Sequence, residues 1–131
     1  MVDVKAMKID DIEGAYGGAF KRARAALGVT SFGMQVIDMP PNWQAYPEHD
    51  HESDGQEEVY LALRGSGVVE AEGQRFPLDT ETFVKVGAGT KRKITPGAEG
   101  MRLLAVGGVP GGTFTPHPIT ELGGPETMEG I

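Results

Sequence analysis

His49 and His51 stand two residues apart, Glu58 follows after six residues, and Gly65 after six more. Alternate residues of an extended chain point to the same side, so two imidazoles at this spacing converge. A carboxylate brought back on the next strand can meet them there. Two neutral imidazoles and one carboxylate are a ligand set for a divalent transition metal, and iron, manganese, nickel and zinc all accept such nitrogen and oxygen donors. Taken alone, the two histidines read more simply as exposed loop residues. The spacing to Glu58 and Gly65 is what gives them weight.

Charge supports a cation at this place. Between Arg24 and Arg64 the chain has no Lys or Arg, while Asp38, Glu48, Asp50, Glu52, Asp54, Glu57 and Glu58 all fall there. A solvated acidic loop explains the same cluster equally well. The net charge of −7 and the pI near 4.9 argue against nucleic acid or an anionic membrane as partner. Cysteine is absent, so disulfides and thiolate metal sites are excluded. Without a long apolar run or a signal-like N-terminus, a soluble cytoplasmic protein is expected.

The elements that must position these residues are short strands. Glycine, 20 of 131 residues, is about double its usual ~7% share and supplies many turns. Residues 14–28 hold the one credible helix, a turn or two long, with Gly28 as its stop. Phe32, Met34 and Val36 alternate until Pro40-Pro41, and residues 43–51 read as a second extended piece. Residues 57–63 form a clear strand with Glu58, Tyr60 and Ala62 on the inner face and Val59, Leu61 and Leu63 on the outer. Gly65-Ser66-Gly67 and Glu72-Gly73 read as turns into residues 68–72 and 74–78. Residues 82–86, 92–95 and 101–106 complete about eight strands, the pattern of an all-β sandwich or barrel. After Gly107, a Gly/Pro-rich tail over 107–131 is expected to lie extended against the barrel or to be disordered.

These residues resemble the cupin superfamily, whose members are double-stranded β-helix (jelly-roll) barrels. The first cupin motif, His-x-His, then Glu, then six residues and Gly, is matched by His49-Asp50-His51, Glu58 and Gly65, with a slightly long spacer that the Asp54-Gly55 turn can absorb. Glu57 would shorten the spacer, but only Glu58 keeps the interval to Gly65. Pro47 also suits the family, whereas Trp43 stands where a glycine is common. The second motif is eroded: aligned on Gly89, its positions hold Glu81, Gly87, Gly89, Arg92 and Pro96, and only the aligned glycine is kept. Arg92 stands where cupins carry their last metal-binding histidine, and a guanidinium does not coordinate cations.

The resemblance covers about residues 32–106 and implies one cupin domain over 1–131 with a small-molecule pocket. Two site readings follow. In one, His49, His51 and Glu58 hold a divalent metal and Arg92 anchors an anionic substrate, with Tyr60 beside it. In the other, Arg92 pairs with Glu58 and replaces the metal in a pocket that binds a small ligand. A structural protein with a vestigial pocket is the third alternative. No organic cofactor is expected. A homodimer is, because the outer face of residues 57–63 needs cover. Trp43, Tyr46, Tyr60 and Phe83 are candidates for the pocket mouth or the core, Arg75 for a pairing with an acid across the barrel or for the surface, and His117 for the surface of the tail.

Overall fold

Two long strands organise the chain, which the computed structural model describes over residues 2–131. In chain order the strands are β1 (Gly14–Ala15), β2 (Phe20–Lys21), β3 (Gly33–Met39), β4 (Glu57–Ala71), β5 (Gln74–Leu78), β6 (Val84–Val86) and β7 (Lys93–Gly108). The helix α1 (Ala23–Leu27) is one short turn and a half, ended as expected by Gly28 at φ 77°. The helix is a turn or two long, as expected, and the earlier residues of the 14–28 segment form β1 and β2, the antiparallel pair Gly14↔Lys21 and Ala15↔Phe20.

The sheet order is β1-β2-β3-β7-β4-β5, and β6 pairs with β4. β4 and β7 run antiparallel over their whole lengths, from Glu57↔Gly108 to Glu70↔Lys93. Two register shifts, between Ala62 and Arg64 and between Gly65 and Gly67, bend this pair and fold the sheet over. The halves then pack face to face: Tyr60, Ala62, Leu103 and Ala105 from one side and Val69 and Ile94 from the other share one buried cluster with Ile37 and Met39.

Here the structure corrects the expected turn at Gly65-Ser66-Gly67 and the break between residues 95 and 101. Each is a bend within one strand. Gly65 has φ 75°, and a Cβ there would stand 2.3 Å from the Gly100 carbonyl oxygen, so this crossing of two backbones accepts only glycine. The turn at Glu72-Gly73 is real. Both residues have positive φ, as a two-residue hairpin between β4 and β5 requires.

Residues 43–51 do not form a regular strand. Their one pairing is the bridge His49↔Arg92, with the Lys93 ammonium tying down the carbonyls of Gln44 and Tyr46. Pro47 removes a backbone donor in the middle of the segment, which interrupts a ladder there. The tail beyond β7 lies against the barrel, with one 3₁₀ turn at Pro118–Thr120 and with Phe114, Ile119 and Thr120 buried. No helix among the described residues is long and apolar enough to cross a membrane.

Candidate metal centre

The backbone pairing explains why four charged or ligating side chains meet inside the barrel. His49 N–H donates to the Arg92 carbonyl at 3.0 Å and Arg92 N–H returns to the His49 carbonyl at 2.9 Å, so the two are direct cross-strand neighbours. Side chains so paired point to the same face. His51, two residues on, is held by its N–H on the Ala88 carbonyl at 2.8 Å. Glu58 enters from β4 opposite Gly107, where a Cβ would crowd the Glu58 side chain at 3.2 Å. Arg92 is completely buried, and His49 and His51 nearly so.

Within this space every polar contact of Glu58 falls on one oxygen, Oε1. Tyr60 donates to it at 2.5 Å and Arg92 Nη1 at 3.2 Å. His51 Nε2 stands 2.9 Å away and His49 Nε2 3.8 Å away. Neither histidine Nε2 is aligned for a hydrogen bond, and both are buried without a partner. Their Nδ1 atoms are committed elsewhere: that of His49 to the Pro47 carbonyl at 3.0 Å, that of His51 to both oxygens of Asp54 at 3.1 Å. A carbonyl can only accept, so His49 carries its proton on Nδ1 and presents a bare Nε2 lone pair to the centre. The Asp54 carboxylate orients the His51 ring in the same way, with Nε2 toward the centre, and Asp54 is itself fixed by the N–H and side-chain amide of Gln56. Outer partners of this kind orient metal-bound histidines in general.

These are the donors a divalent cation needs. Ligands each roughly 2.0–2.2 Å from one ion lie less than about 4.4 Å apart, and both histidine-to-Glu58 separations satisfy that. The residues present therefore fit a metal, with unpartnered Nε2 lone pairs the observation that says so. The obstacle is the guanidinium of Arg92, which also donates from Nη2 to the Gly87 carbonyl at 2.9 Å.

The electrostatics are those of a buried, strongly paired carboxylate. Burial alone would raise Glu58, but the histidines and Tyr60 outweigh it and hold its carboxyl well below the usual carboxylate range. Burial and the adjacent Glu58 charge push both Tyr60 and Tyr46 above the ordinary phenol value, so both stay neutral donors. For His51, burial disfavours the charged form, yet Glu58 and Asp54 more than offset this and raise it.

Beside His51 and Glu58 lies a chamber of about 40 Å³, room for only a few water-sized groups. Its lining adds residues that the sequence did not single out: Gln35, whose Oε1 is buried without a partner, and Phe114, Thr120 and Ile131 from the tail. His117 also lines it and is half-buried, a correction to its expected surface position. Ile119 N–H donates to its Nδ1 at 3.1 Å, and its Nε2 donates to the Glu129 carbonyl at 2.8 Å. Hollows of about 530 and 660 Å³ are surface grooves around Asp38 and Pro40, and none of His49, His51 and Glu58 lines them. Of the aromatic candidates, Tyr46 and Tyr60 are core, Trp43 packs partly against it, and Phe83 is 73% exposed. Arg75 is on the surface, paired with Glu70.

Comparison with known proteins adds the fold's name. A cupin protein from Bacteroides fragilis matches at a TM-score of 0.69 with 17% identity, over 89% of this chain and 93% of that one. The chain has the cupin fold. A sugar phosphate isomerase from a cupin superfamily, from Silicibacter pomeroyi, matches at 0.67 with 20% identity, over 86% of this chain and 77% of the other. A predicted oxalate decarboxylase from Thermotoga maritima matches at 0.54 with 23% identity, over 66% and 73%. No family model matches the sequence, and no curated protein matches it significantly. The cupin barrel hosts many chemistries, so identities this low carry the fold and leave the reaction to the site.

Proposed function

We propose that this cupin barrel holds one divalent transition metal on His49 Nε2, His51 Nε2 and Glu58, and that it binds and transforms a small anionic molecule beside that metal. The single observation carrying this reading is the pair of buried, unpartnered Nε2 atoms, each oriented by a dedicated acceptor on its Nδ1. Leaving two such lone pairs buried and unused is costly, and a cation uses both. When bound, the metal supplies Lewis-acid polarisation and, if redox-active, a route for electrons. Arg92 supplies a fixed positive charge at the same centre, suited to an anionic group on the ligand. Tyr60 donates to Glu58 and keeps the carboxylate from turning away.

A second reading has its own observation. Arg92 Nη1 lies 3.2 Å from the oxygen that the histidines face, so the guanidinium can neutralise Glu58 without a metal. The barrel is then a binding pocket for a small ligand. Elemental analysis of protein purified without an affinity tag separates the two. About one equivalent of iron, manganese, nickel or zinc per chain, lost in His49→Ala, supports the first. Metal-free protein that also fails to take up added metal supports the second.

The assembly we propose is a homodimer. Val59 and Leu63 on the outer face of β4 are 36% and 37% exposed, and Phe83, also exposed, immediately precedes β6, which pairs with β4. Val2, Val4 and Met7 project from an exposed N-terminal segment. A second copy covers both sets of apolar side chains.

A further inference from the structure

The chamber beside His51 and Glu58 is roofed by the tail, and the way the tail is attached sets it apart from the rest of the wall. After β7, every backbone-to-backbone hydrogen bond is local: Gly112 to Val109, Thr120 to His117, Glu121 to Pro118, Gly124 to Glu121 and Ile131 to Met128. Among the described residues, no ladder joins this segment to the barrel. Side chains from the β1–α1 region hold it instead. Arg22, only 2% exposed, donates from Nε to the Ile119 carbonyl at 2.6 Å and from Nη2 to the Gly124 carbonyl at 2.9 Å, with Glu13 on its remaining nitrogen. Arg24 pairs with Glu121 at 3.0 Å, and Tyr16 holds Glu126 through its N–H and hydroxyl. The segment begins in a turn at Val109–Gly112, where Gly111 has φ 62°.

We propose that residues 109–131 form a strap latched by Arg22 over the His49–His51–Glu58 centre, and that a ligand reaches the centre only when the strap lifts. The inference rests on the proposed site only for the ligand's destination. The attachment itself is independent of any metal. Lifting breaks side-chain contacts and exposes Phe114 and Ile119, but disrupts no strand pairing, so the strap opens while β4 and β7 stay closed. In the latched state the chamber of about 40 Å³ admits a few non-hydrogen atoms at most, so the strap also selects by size: ligands too large for the closed chamber are held only with the strap displaced.

Hydrogen exchange on the full chain tests this without reference to metal. Amides of residues 113–124 should exchange as one unit at least about tenfold faster than those of β4 and β7, the scale of a local opening below the global one. In Arg22→Gln they should speed up by a further tenfold or more, because both charged hydrogen bonds from Arg22 to the strap are lost, while β4 and β7 are unchanged. Diethyl pyrocarbonate modification of His51 in chelator-treated protein should accelerate in parallel. Phe114→Ala, altered on the strap itself, gives the same comparison if Arg22→Gln does not fold. The strap is overturned if residues 113–124 exchange in step with β4 and β7 in both proteins, or if His51 is modified equally fast in both. Metal content measured on the same samples judges the metal reading separately, because a metal-free protein with a fast-exchanging strap leaves this inference standing.

Discussion

At the scale of single residues, the centre is defined by what each nitrogen is allowed to do. Pro47 and Asp54 take the Nδ1 protons, and only Nε2 remains for chemistry. Asp54 is thus a positioning residue, and Asp54→Asn should weaken metal affinity about 10–100-fold, the usual cost of losing such an outer partner. Competition titration with a chelator of known affinity measures it, and an unchanged constant would remove Asp54 from the site. Arg92→His places a third imidazole, and so a fourth ligand, where the guanidinium stands and should tighten divalent-metal binding, or create it in a protein that otherwise takes up none. The same titration reads this, and a variant that folds but binds no metal would overturn the alignment of Arg92 with the missing ligand. The convergence of His49, His51, Glu58 and Arg92 was legible in the sequence because it is carried by spacing and residue type. Asp54 was not, since it sits in an acidic turn where any carboxylate looks solvated. Its three-residue offset from His51 was the available signal.

At the scale of elements, the hydrophobic alternation of β4 was legible: Tyr60 and Ala62 are buried, while Val59 and Leu63 are partly exposed. The continuity of β4 and β7 was not. Glycines that break a chain and glycines that bend a paired strand look alike until the partner strand is known, and the backbone that Gly65 approaches is that of Gly100, thirty-five residues away. Gly65→Ala should cost about 2 kcal/mol or more, combining a left-handed backbone for a residue with Cβ and the close approach to Gly100. A denaturant midpoint indistinguishable from wild type would show that the crossing is looser than described.

Across β3 and β7, Asp38 and Arg102 are register partners joined by bonds of 2.7 and 3.0 Å. The Arg102 hydrogen bond holds Asp38 below its ordinary 3.8. In the window beneath that value the unfolded chain binds the proton more readily than the folded one, so the pair's contribution is present above about pH 3.8 and is lost as pH falls through the lowered folded value. Acid unfolding of Arg102→Met should begin less steeply than wild type over that window. Identical acid profiles would deny the pair a role.

At the scale of the whole molecule, the tail shows how little composition says about packing. Its glycines and prolines forbid regular structure but leave Phe114, Ile119 and Ile131 free to close the core, and only the position of Arg22 reveals where they land. The dimer is tested at this scale. Light scattering at micromolar concentration should give about twice the 13.9 kDa of one chain, and Leu63→Glu, on the outer face of β4, should lower it toward the monomer. A wild-type mass near one chain would end the proposal.

The pairing of β4 with β7 also orders events in time. Glu70 and Lys93 are the partners nearest in sequence, whereas Glu57 and Gly108 close a far longer loop. Loop closure grows costlier with length, so the ladder should zip from the Glu70 end and reach Glu58 last, after the strands that flank it are in place. Substitutions at Glu58 should then leave the refolding rate nearly untouched and act on unfolding, whereas Val69→Ala should slow refolding. Chevron plots of the two variants distinguish them, and a slowed refolding arm for Glu58→Gln would reverse the order. The residues proposed to do the chemistry are, on this account, among the last to assemble, so a cation that bridges them stabilises the finished barrel without hastening its formation.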